Sequence, residues 1–212
     1  MKYQLLTNDS IQFKHPKREL PIKLYRIFAL TDIEINIKGF RTTVKSGTVG
    51  GYIQKENNLP QNDCSWVFHN AKVFDNAKLS NSIVRDEAWV FENSELSGSA
   101  ACKKSHIWGE CTLKDTWVDD NVDVHGTCTL TNTEVRNSSV VCGRSIVKNS
   151  KMFNGCRIYN SQVADTKMFD VSEIKDGSVV ENCILKGRTV ISNKIVKNES
   201  RQEDIELSVM TG

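Results

Sequence analysis

Two histidines and an aspartate have a spacing that could support acid–base chemistry. His106 and Asp123 are 17 residues apart, and His125 follows Asp123 by two positions. An imidazole oriented by a carboxylate is a common general base for removing a proton from a hydroxyl or an amine. These side chains can cooperate only if the fold brings residues 17 apart into contact. The elements that position them therefore decide whether this chemistry exists.

Such elements are indicated by a 17-residue repeat of apolar positions. Three columns of apolar residues step through the middle of the chain, although only 39% of all residues are hydrophobic. After Ile158 the pattern continues one residue early, so that Val163 fits the third column better than Ala164, which suggests a shortened corner. The columns are Val67, Val84, Ala101, Val118, Val135, Met152; Val73, Val90, Ile107, Val124, Val141, Ile158; and Leu79, Leu96, Leu113, Leu130, Val147, Ala164.

The repeat predicts a three-sided coil of short strands. The columns are offset by 6, 6 and 5 residues, so each side holds one strand and one corner. Asn, Asp and Gly between the columns tolerate the positive φ of tight corners. No coil buries its apolar side alone, so stability must come from stacking. We predict an all-β parallel helix of about seven coils over residues 67–192.

The segments on either side of the repeat are predicted to close its ends. Tyr3–Leu6, Ile11–Lys14 and Ile22–Leu30 are rich in β-branched and aromatic residues and predict strands, and Gly47–Gly51 predicts a tight turn. A solenoid needs a cap that hides the end of its core, and we assign residues 1–66 this role. Residues 193–212 are predicted as a C-terminal cap or tail, either a strand, a short helix or partly disordered.

The repeat and the cap resemble a known family. Val67–Lys72 and Val73–Lys78 each place a small residue four positions after an aliphatic one, as in the hexapeptide repeat of left-handed parallel β-helices, with Phe as an unusual second residue. Pentapeptide solenoids have four five-residue sides, which a 17-residue period argues against. Four further segments are similar to the start of YdcK-like hexapeptide-repeat proteins of bacteria and prophages: Leu24–Asp32, Val44–Ile53, Asn58-Leu59 and Trp66-Val67.

The resemblance implies a left-handed coil and a homo-oligomer, commonly a trimer. The insertion Ile33–Arg41 departs from the family pattern. YdcK-like proteins are often labelled transferases, but that label itself rests on the repeat. The resemblance therefore says much about architecture and little about activity.

Side chains beside the second column form a row of aromatic residues. Strand side chains alternate, so the neighbours of an inward column point outward. A water-facing strand should not carry such a row without a reason. Packing between identical subunits, a groove for a partner protein or small ligand, and stacking without a partner all stay open. The candidate contact residues are Phe74, Trp89, Phe91, Trp108, Cys142 and Tyr159, with His125 in the same row.

Two functions follow as hypotheses. We favour a non-enzymatic, oligomeric scaffold or interaction protein without a cofactor, of prophage or phage origin, that binds a host protein or a small signalling molecule. The alternative, implied by the resemblance, is an acyltransferase that uses acetyl-CoA or another acyl-CoA, with His125 as base and His106 or Asp123 beside it. The uninterrupted repeat from 67 to 158 argues against it, because such enzymes usually carry a loop that interrupts a coil.

Composition argues against several other classes. The net charge is +2, from 28 basic and 26 acidic residues, so no global field selects nucleic acid or an anionic membrane as partner. The apolar runs are too short to span a bilayer, and no signal peptide is visible, so a cytoplasmic location is expected. The seven cysteines are scattered without a CxxC motif and are expected to be reduced thiols. No metal site is predicted, because clustered ligands are not visible.

Overall fold

The computed structural model of the protein describes residues 1–203 and shows a parallel β-solenoid. The all-β prediction and the 17-residue period are confirmed, but the stack has about nine turns in place of the predicted seven. The left hand, which rests on the resemblance, stays a prediction.

The additional turns lie at the two ends of the predicted repeat. Val49–Ile53 pairs in parallel with Lys72–Val73, so the stack begins inside the segment assigned to the cap. Ile195–Lys197 and Ser200–Glu203 extend it at the other end. The pairing of Val49–Ile53 with the next strand was not apparent from the 17-residue repeat, because Ile53 and its partner Val73 are 20 residues apart. Residues 204–212 of the predicted tail lie outside the described residues.

Three sheets form three faces of the solenoid. The strands of the first face are Trp66–Val67, Ile83–Val84, Ala100–Ala101, Trp117–Asp119, Glu134–Arg136, Lys151–Met152, Lys167–Met168, Ile184–Gly187 and Ser200–Glu203. Those of the second face are Val49–Ile53, Lys72–Val73, Trp89–Val90, His106–Gly109, Asp123–Gly126, Val140–Gly143, Arg157–Tyr159, Glu173–Lys175 and Val190–Ser192. Those of the third face are Lys78–Ser80, Glu95–Ser97, Thr112–Lys114, Thr129–Thr131, Ile146–Lys148, Gln162–Ala164, Val179–Glu181 and Ile195–Lys197.

The three predicted columns fill the interior of the solenoid. Every column residue except Ala164 is buried, and Val163 takes the place of Ala164 in the core, as the register slip predicts. Column neighbours stand directly above one another, for example Ile107 over Val124. Burying one such aliphatic side chain contributes about 1.5–3 kcal/mol. The stacked columns are therefore the main source of stability.

The corners use the residues expected at positive φ. Asn132 and Asn149 have φ of 49° and 48° at the corner before the first face, where their side-chain amides hydrogen-bond to each other at 3.2 Å. Buried hydroxyls form a second ladder just inside this corner: Ser82 Oγ accepts the backbone N–H of Ser99 at 3.1 Å, and Ser99 Oγ accepts that of Thr116 at 3.0 Å. These ladders pair polar groups that the tight turns would otherwise leave buried and unpaired.

The chain begins with an antiparallel hairpin of two strands, Tyr3–Phe13 and Ile22–Ala29, which extends the second face. We call it the N-terminal hairpin. The two strands predicted before residue 15 are one strand with a register shift between Leu6 and Ser10. The predicted turn is also shorter than expected, because Gly50 lies within a strand; a Cβ on it would be 2.6 Å from Ile27 Cγ1. Close packing, not a turn, requires glycine there.

The insertion forms a second hairpin, Ile33–Ile37 paired with Phe40–Val44, which we call the insertion hairpin. Its two-residue turn, Lys38-Gly39, has φ of 50° and 85°, as type I′ hairpin turns require. Phe40 packs on Phe68, the residue that follows the strand Trp66–Val67 of the first face, with 6.1 Å between ring centroids, and Lys38 Nζ reaches Asn132 Oδ1 at 3.3 Å. This hairpin therefore lies along the first face.

A 3₁₀ helix spans Glu56–Asn58. Within residues 1–203, no helix has the length and apolar character needed to cross a membrane.

Candidate functional site

Aromatic rings on the second face stack along the solenoid axis. Phe74, Phe91, Trp108 and His125 occupy the same outward position in successive coils, and we call this position, continued by Cys142 and Tyr159, the aromatic row. Successive ring centroids are 4.9, 5.8 and 4.5 Å apart, with interplanar angles of 9°, 12° and 10°. Neighbouring strands lie about 4.8 Å apart, which imposes this spacing.

The first two rings of the aromatic row are covered by the N-terminal hairpin. Phe74 and Phe91 are 0% and 3% exposed. The ring of Phe13 meets Phe74 edge-on with 5.5 Å between centroids. His15 contacts Phe74 and Phe91 at 5.4 and 6.0 Å. This part of the row is an intramolecular contact, which the three explanations drawn from the sequence did not include.

Polar contacts hold the tip of this hairpin against the second face. The backbone N–H of Lys17 donates to His15 Nδ1 at 3.0 Å, so His15 Nε2 carries the proton that it donates to Asp75 Oδ2, also at 3.0 Å. Arg18 lies 3.1 Å from the other Asp75 oxygen, and Lys17 pairs with Glu92 at 2.9 Å. We call these residues the clasp. A hydrogen bond to a buried charged group contributes about 1.5–3 kcal/mol.

The aromatic row becomes open at Trp108. Trp108, His125 and Cys142 are half-buried, and Tyr159 is 46% exposed. Lys17 of the hairpin tip reaches the row at this point, with its Nζ 5.7 Å from the Trp108 ring centroid. The row thus changes from covered to open within one chain.

The predicted acid–base group lies on the same face, and its close pair is His106 with Asp123. These residues are opposite one another in adjacent coils, with His106 Nδ1 3.1 Å from Asp123 Oδ1. This pairing leaves Nε2 of His106 as the nitrogen available to a substrate. The imidazole of His125 stacks on Trp108 instead, and its ring nitrogens make no hydrogen bond within the described residues. Burial lowers the pKa of His125, against the opposing effect of Asp123.

A shallow groove adjoins the His106 pair. Its volume is about 470 Å³, and its lining includes Lys72, Trp89 and Lys104. Trp89 lies between Lys72, whose Nζ is 5.6 Å from the indole centroid, and His106, whose ring centroid is 4.8 Å away. Burial lowers the pKa of Lys72, while the charge of Glu87 opposes this shift. The groove offers ammonium, imidazole and indole groups to a polar ligand.

All seven cysteines are free thiols. Cys111 and Cys128 are stacked at the corner after the second face, 0% and 1% exposed, and serve there as small core residues. Their Sγ atoms donate to the carbonyl oxygens of Trp108 and His125, each at 3.1 Å. Within residues 1–203, no three His, Cys, Asp or Glu side chains are grouped to hold a metal ion.

The hairpin residues that complete the site were missed in the sequence. Ile11, Phe13 and His15 alternate with polar residues, and the first two pack against the cluster around Phe74. Period-two alternation of this kind indicates a strand with one buried side. The signal was present, but it did not say which surface the strand would cover.

Comparison with known proteins does not identify a family for this chain. A scan against protein-family models finds no match, and a search of curated proteins finds no significant relative. Neither comparison confirms the YdcK-like resemblance, which stays a prediction.

Proposed function

We propose that the protein is a non-enzymatic β-solenoid scaffold that assembles with copies of itself through the open part of the aromatic row. The observation that carries this proposal is that the N-terminal hairpin covers one part of the aromatic row and leaves the other part open. Phe74 and Phe91 are shielded by the N-terminal hairpin, whereas Trp108 and Tyr159 present the same kind of surface with less cover. Contiguous exposed apolar surface is typical of interaction sites.

A second copy of the chain suits this surface better than an unrelated partner. Arg157 and Glu173 lie opposite each other in adjacent coils, and Lys175 follows on the same face as Tyr159. In a homo-oligomer both sides of the contact come from the same sequence, so a face that carries both signs of charge can complement a second copy of itself. The open row also continues the packed contact that the hairpin makes with Phe74. A second copy would extend an interface that already exists.

The finer parts of this proposal rest on the resemblance. By that resemblance, the chain is a YdcK-like hexapeptide-repeat protein of bacterial or phage origin, and it assembles as a trimer. The target of the scaffold is then a host protein or a small signalling molecule. The scaffold role requires no cofactor.

The oligomeric mass of the full chain tests the proposal. We expect sedimentation velocity to give a multiple of 23.9 kDa. Trp108→Asp and Tyr159→Asp each place a carboxylate in the contact and should shift the mass toward one chain. Ile195→Asp is the matched control, because Ile195 is 74% exposed on the third face. The proposal would be contradicted if the wild-type protein were a monomer, or if Trp108→Asp and Tyr159→Asp both left the mass unchanged.

A second candidate is an acyl-CoA-dependent acyltransferase with His106 as the base. It is favoured by the 3.1 Å pair of His106 with Asp123 beside the groove. His106 Nε2 would take the proton of an acceptor hydroxyl or amine as that group attacks the thioester carbonyl, and coenzyme A would leave as the thiol. Asp123 would stabilise the resulting imidazolium.

Calorimetry with acetyl-CoA distinguishes this candidate from a scaffold. If acetyl-CoA binds, His106→Ala should lower turnover at least about a hundredfold, whereas His125→Ala should leave most of it. No detectable heat at millimolar acetyl-CoA would remove the candidate.

A further inference from the structure

We propose that Val171 is a contact residue for a second copy of the chain, at a corner where its backbone conformation is unfavourable for valine. This inference rests on the proposed function, because it extends the open part of the aromatic row to a neighbouring corner of the solenoid. Val171 follows Asp170 between the strands Lys167–Met168 of the first face and Glu173–Lys175 of the second. It has a φ of +61° and is 52% exposed.

The backbone at this corner is shaped by the coil and not by the residue that occupies it. Strand pairing stacks Asn121, Ser138, Gly155 and Val171 in four successive coils. Their φ values are +61°, +58°, +77° and +61°. The N–H of Val171 donates to the carbonyl oxygen of Asn154 in the preceding coil at 2.9 Å, which holds the corner in this shape. Any residue at this position therefore adopts positive φ.

Valine is poorly suited to that conformation. Glycine adopts positive φ freely and asparagine tolerates it, whereas a β-branched residue there is a genuine outlier. Within residues 1–203, the other non-glycine residues with positive φ are Asn, Asp, Ser, Lys, Glu or His, and Val171 is the one β-branched member of this set. Backbone strain of this kind clusters at functional sites, where the strained residue has a role beyond its own fold.

Packing within the chain does not account for the valine. Val171 leans over Gly155 of the preceding coil, where a Cβ added to the glycine would lie 3.1 Å from Val171 Cγ1. This contact leaves about half of the residue in solvent. The free energy gained by burying an apolar side chain scales with the area removed from water, so an exposed valine gains little to offset its strain.

The exposed surface beside Val171 includes other apolar residues of the second face. Tyr159 of the aromatic row lies in the coil before Val171 and is 46% exposed, and Val190 lies in the coil after it and is 48% exposed. Phe169, two residues before Val171, is half-buried on the first face. One contact can therefore cover the end of the row and this corner together, and the valine would then be buried.

The charges around this corner favour a second copy of the chain as the occupant. They comprise two acids and three bases: Arg157, Asp170, Glu173, Lys175 and Arg188. Glu173 pairs with Lys175 at 3.1 Å, while Asp170 and Arg188 are exposed on either side of Val171 along the corner. A surface that carries both signs of charge can complement the same surface of a second copy.

Val171→Asn tests the proposal by two measurements that should change in opposite directions. Asparagine suits the corner, so the urea midpoint of the single chain should rise by about 0.3–0.5 M, measured at a dilution at which the wild type sediments as a monomer. The same substitution removes an apolar contact, so self-association measured by sedimentation should weaken at least about fivefold. A valine without a role in the contact would give the first change alone.

Val171→Thr separates the contact from the strain. Threonine keeps the β-branched shape and the strain but replaces a methyl group with a hydroxyl, so it should weaken self-association and leave the urea midpoint unchanged. Ile195→Thr is the matched control, because it makes the same kind of change at an exposed residue of the third face and should alter neither measurement.

The outcomes distinguish this inference from the proposed function. If Trp108→Asp and Tyr159→Asp reduce the mass while both Val171 variants associate like the wild type, this inference is overturned and the proposed function stands. A wild type that is monomeric at every concentration overturns both. A lower urea midpoint in Val171→Asn would show that the valine is not strained, and an equal loss of self-association in Ile195→Thr would show that the effect is not specific to this corner; either result overturns the inference.

Discussion

Replacing Gly126 with alanine should lower the free energy of unfolding by about 3 kcal/mol. Gly126 has a φ of +94°, and a Cβ on it would lie 2.6 Å from the carbonyl oxygen of Gly143 in the next coil. A side chain in the left-handed region costs about 1–2 kcal/mol. The contact would also separate the coils where the N–H of Thr127 donates to that same oxygen at 2.8 Å. Loss of this hydrogen bond adds about 1 kcal/mol.

Urea unfolding followed by circular dichroism measures this change, and Gly177→Ala provides the control. Gly177 also has positive φ, +77°, but a Cβ on it would meet nothing within 4 Å. Its substitution should therefore cost only the conformational part, about 1–2 kcal/mol. Equal losses in Gly126→Ala and Gly177→Ala would refute the reasoning, since close stacking of coils would then contribute nothing at this corner.

Three further predictions concern the clasp, a histidine and the thiols. His15→Ala should lower the free energy of unfolding by about 2 kcal/mol in urea, because the buried Asp75 carboxylate loses the imidazole donor; no loss would show that the clasp does not hold the hairpin. Burial lowers the pKa of His125 from 6.5, so the unfolded chain binds its proton more readily and stability falls as pH drops below about 6.5. Between pH 7 and pH 5 the wild type should therefore lose more stability than His125→Gln, and parallel curves would contradict the sign. Iodoacetamide should modify the partly exposed Cys64 and Cys142 before the five buried thiols, and peptide mass spectrometry that finds a buried thiol modified first would contradict the described packing.

The core was predictable because one pattern dominates the chain. Val90, Ile107 and Val124 are all buried in a single stack, and only a coil of one fixed length can align residues 17 apart. The hairpins were harder, because their strands carry local signals but their place on the solenoid depends on long-range packing. The alternation around Ile33 and Ile37 is typical of a strand. The shape of this insertion was left open in the sequence, and nothing in the alternation identifies the first face as the surface that the strand covers.

The candidate site was predictable only where it follows the coil period. His106 and Asp123 are one period apart, and the structure brings them together. His125 was expected to be the base, but a neighbouring coil offers it the ring of Trp108, and the sequence does not show that stacking would take precedence over the carboxylate.

The in-register stacking of coils also bears on how this molecule could change over evolutionary time. Each coil supplies one strand to each of the three faces, and the strands are evenly spaced along the solenoid axis. Gain or loss of one whole coil would lengthen or shorten all three faces by the same distance and leave each side chain on its original face. The length of the solenoid can therefore change without a change in the residue types that each face presents.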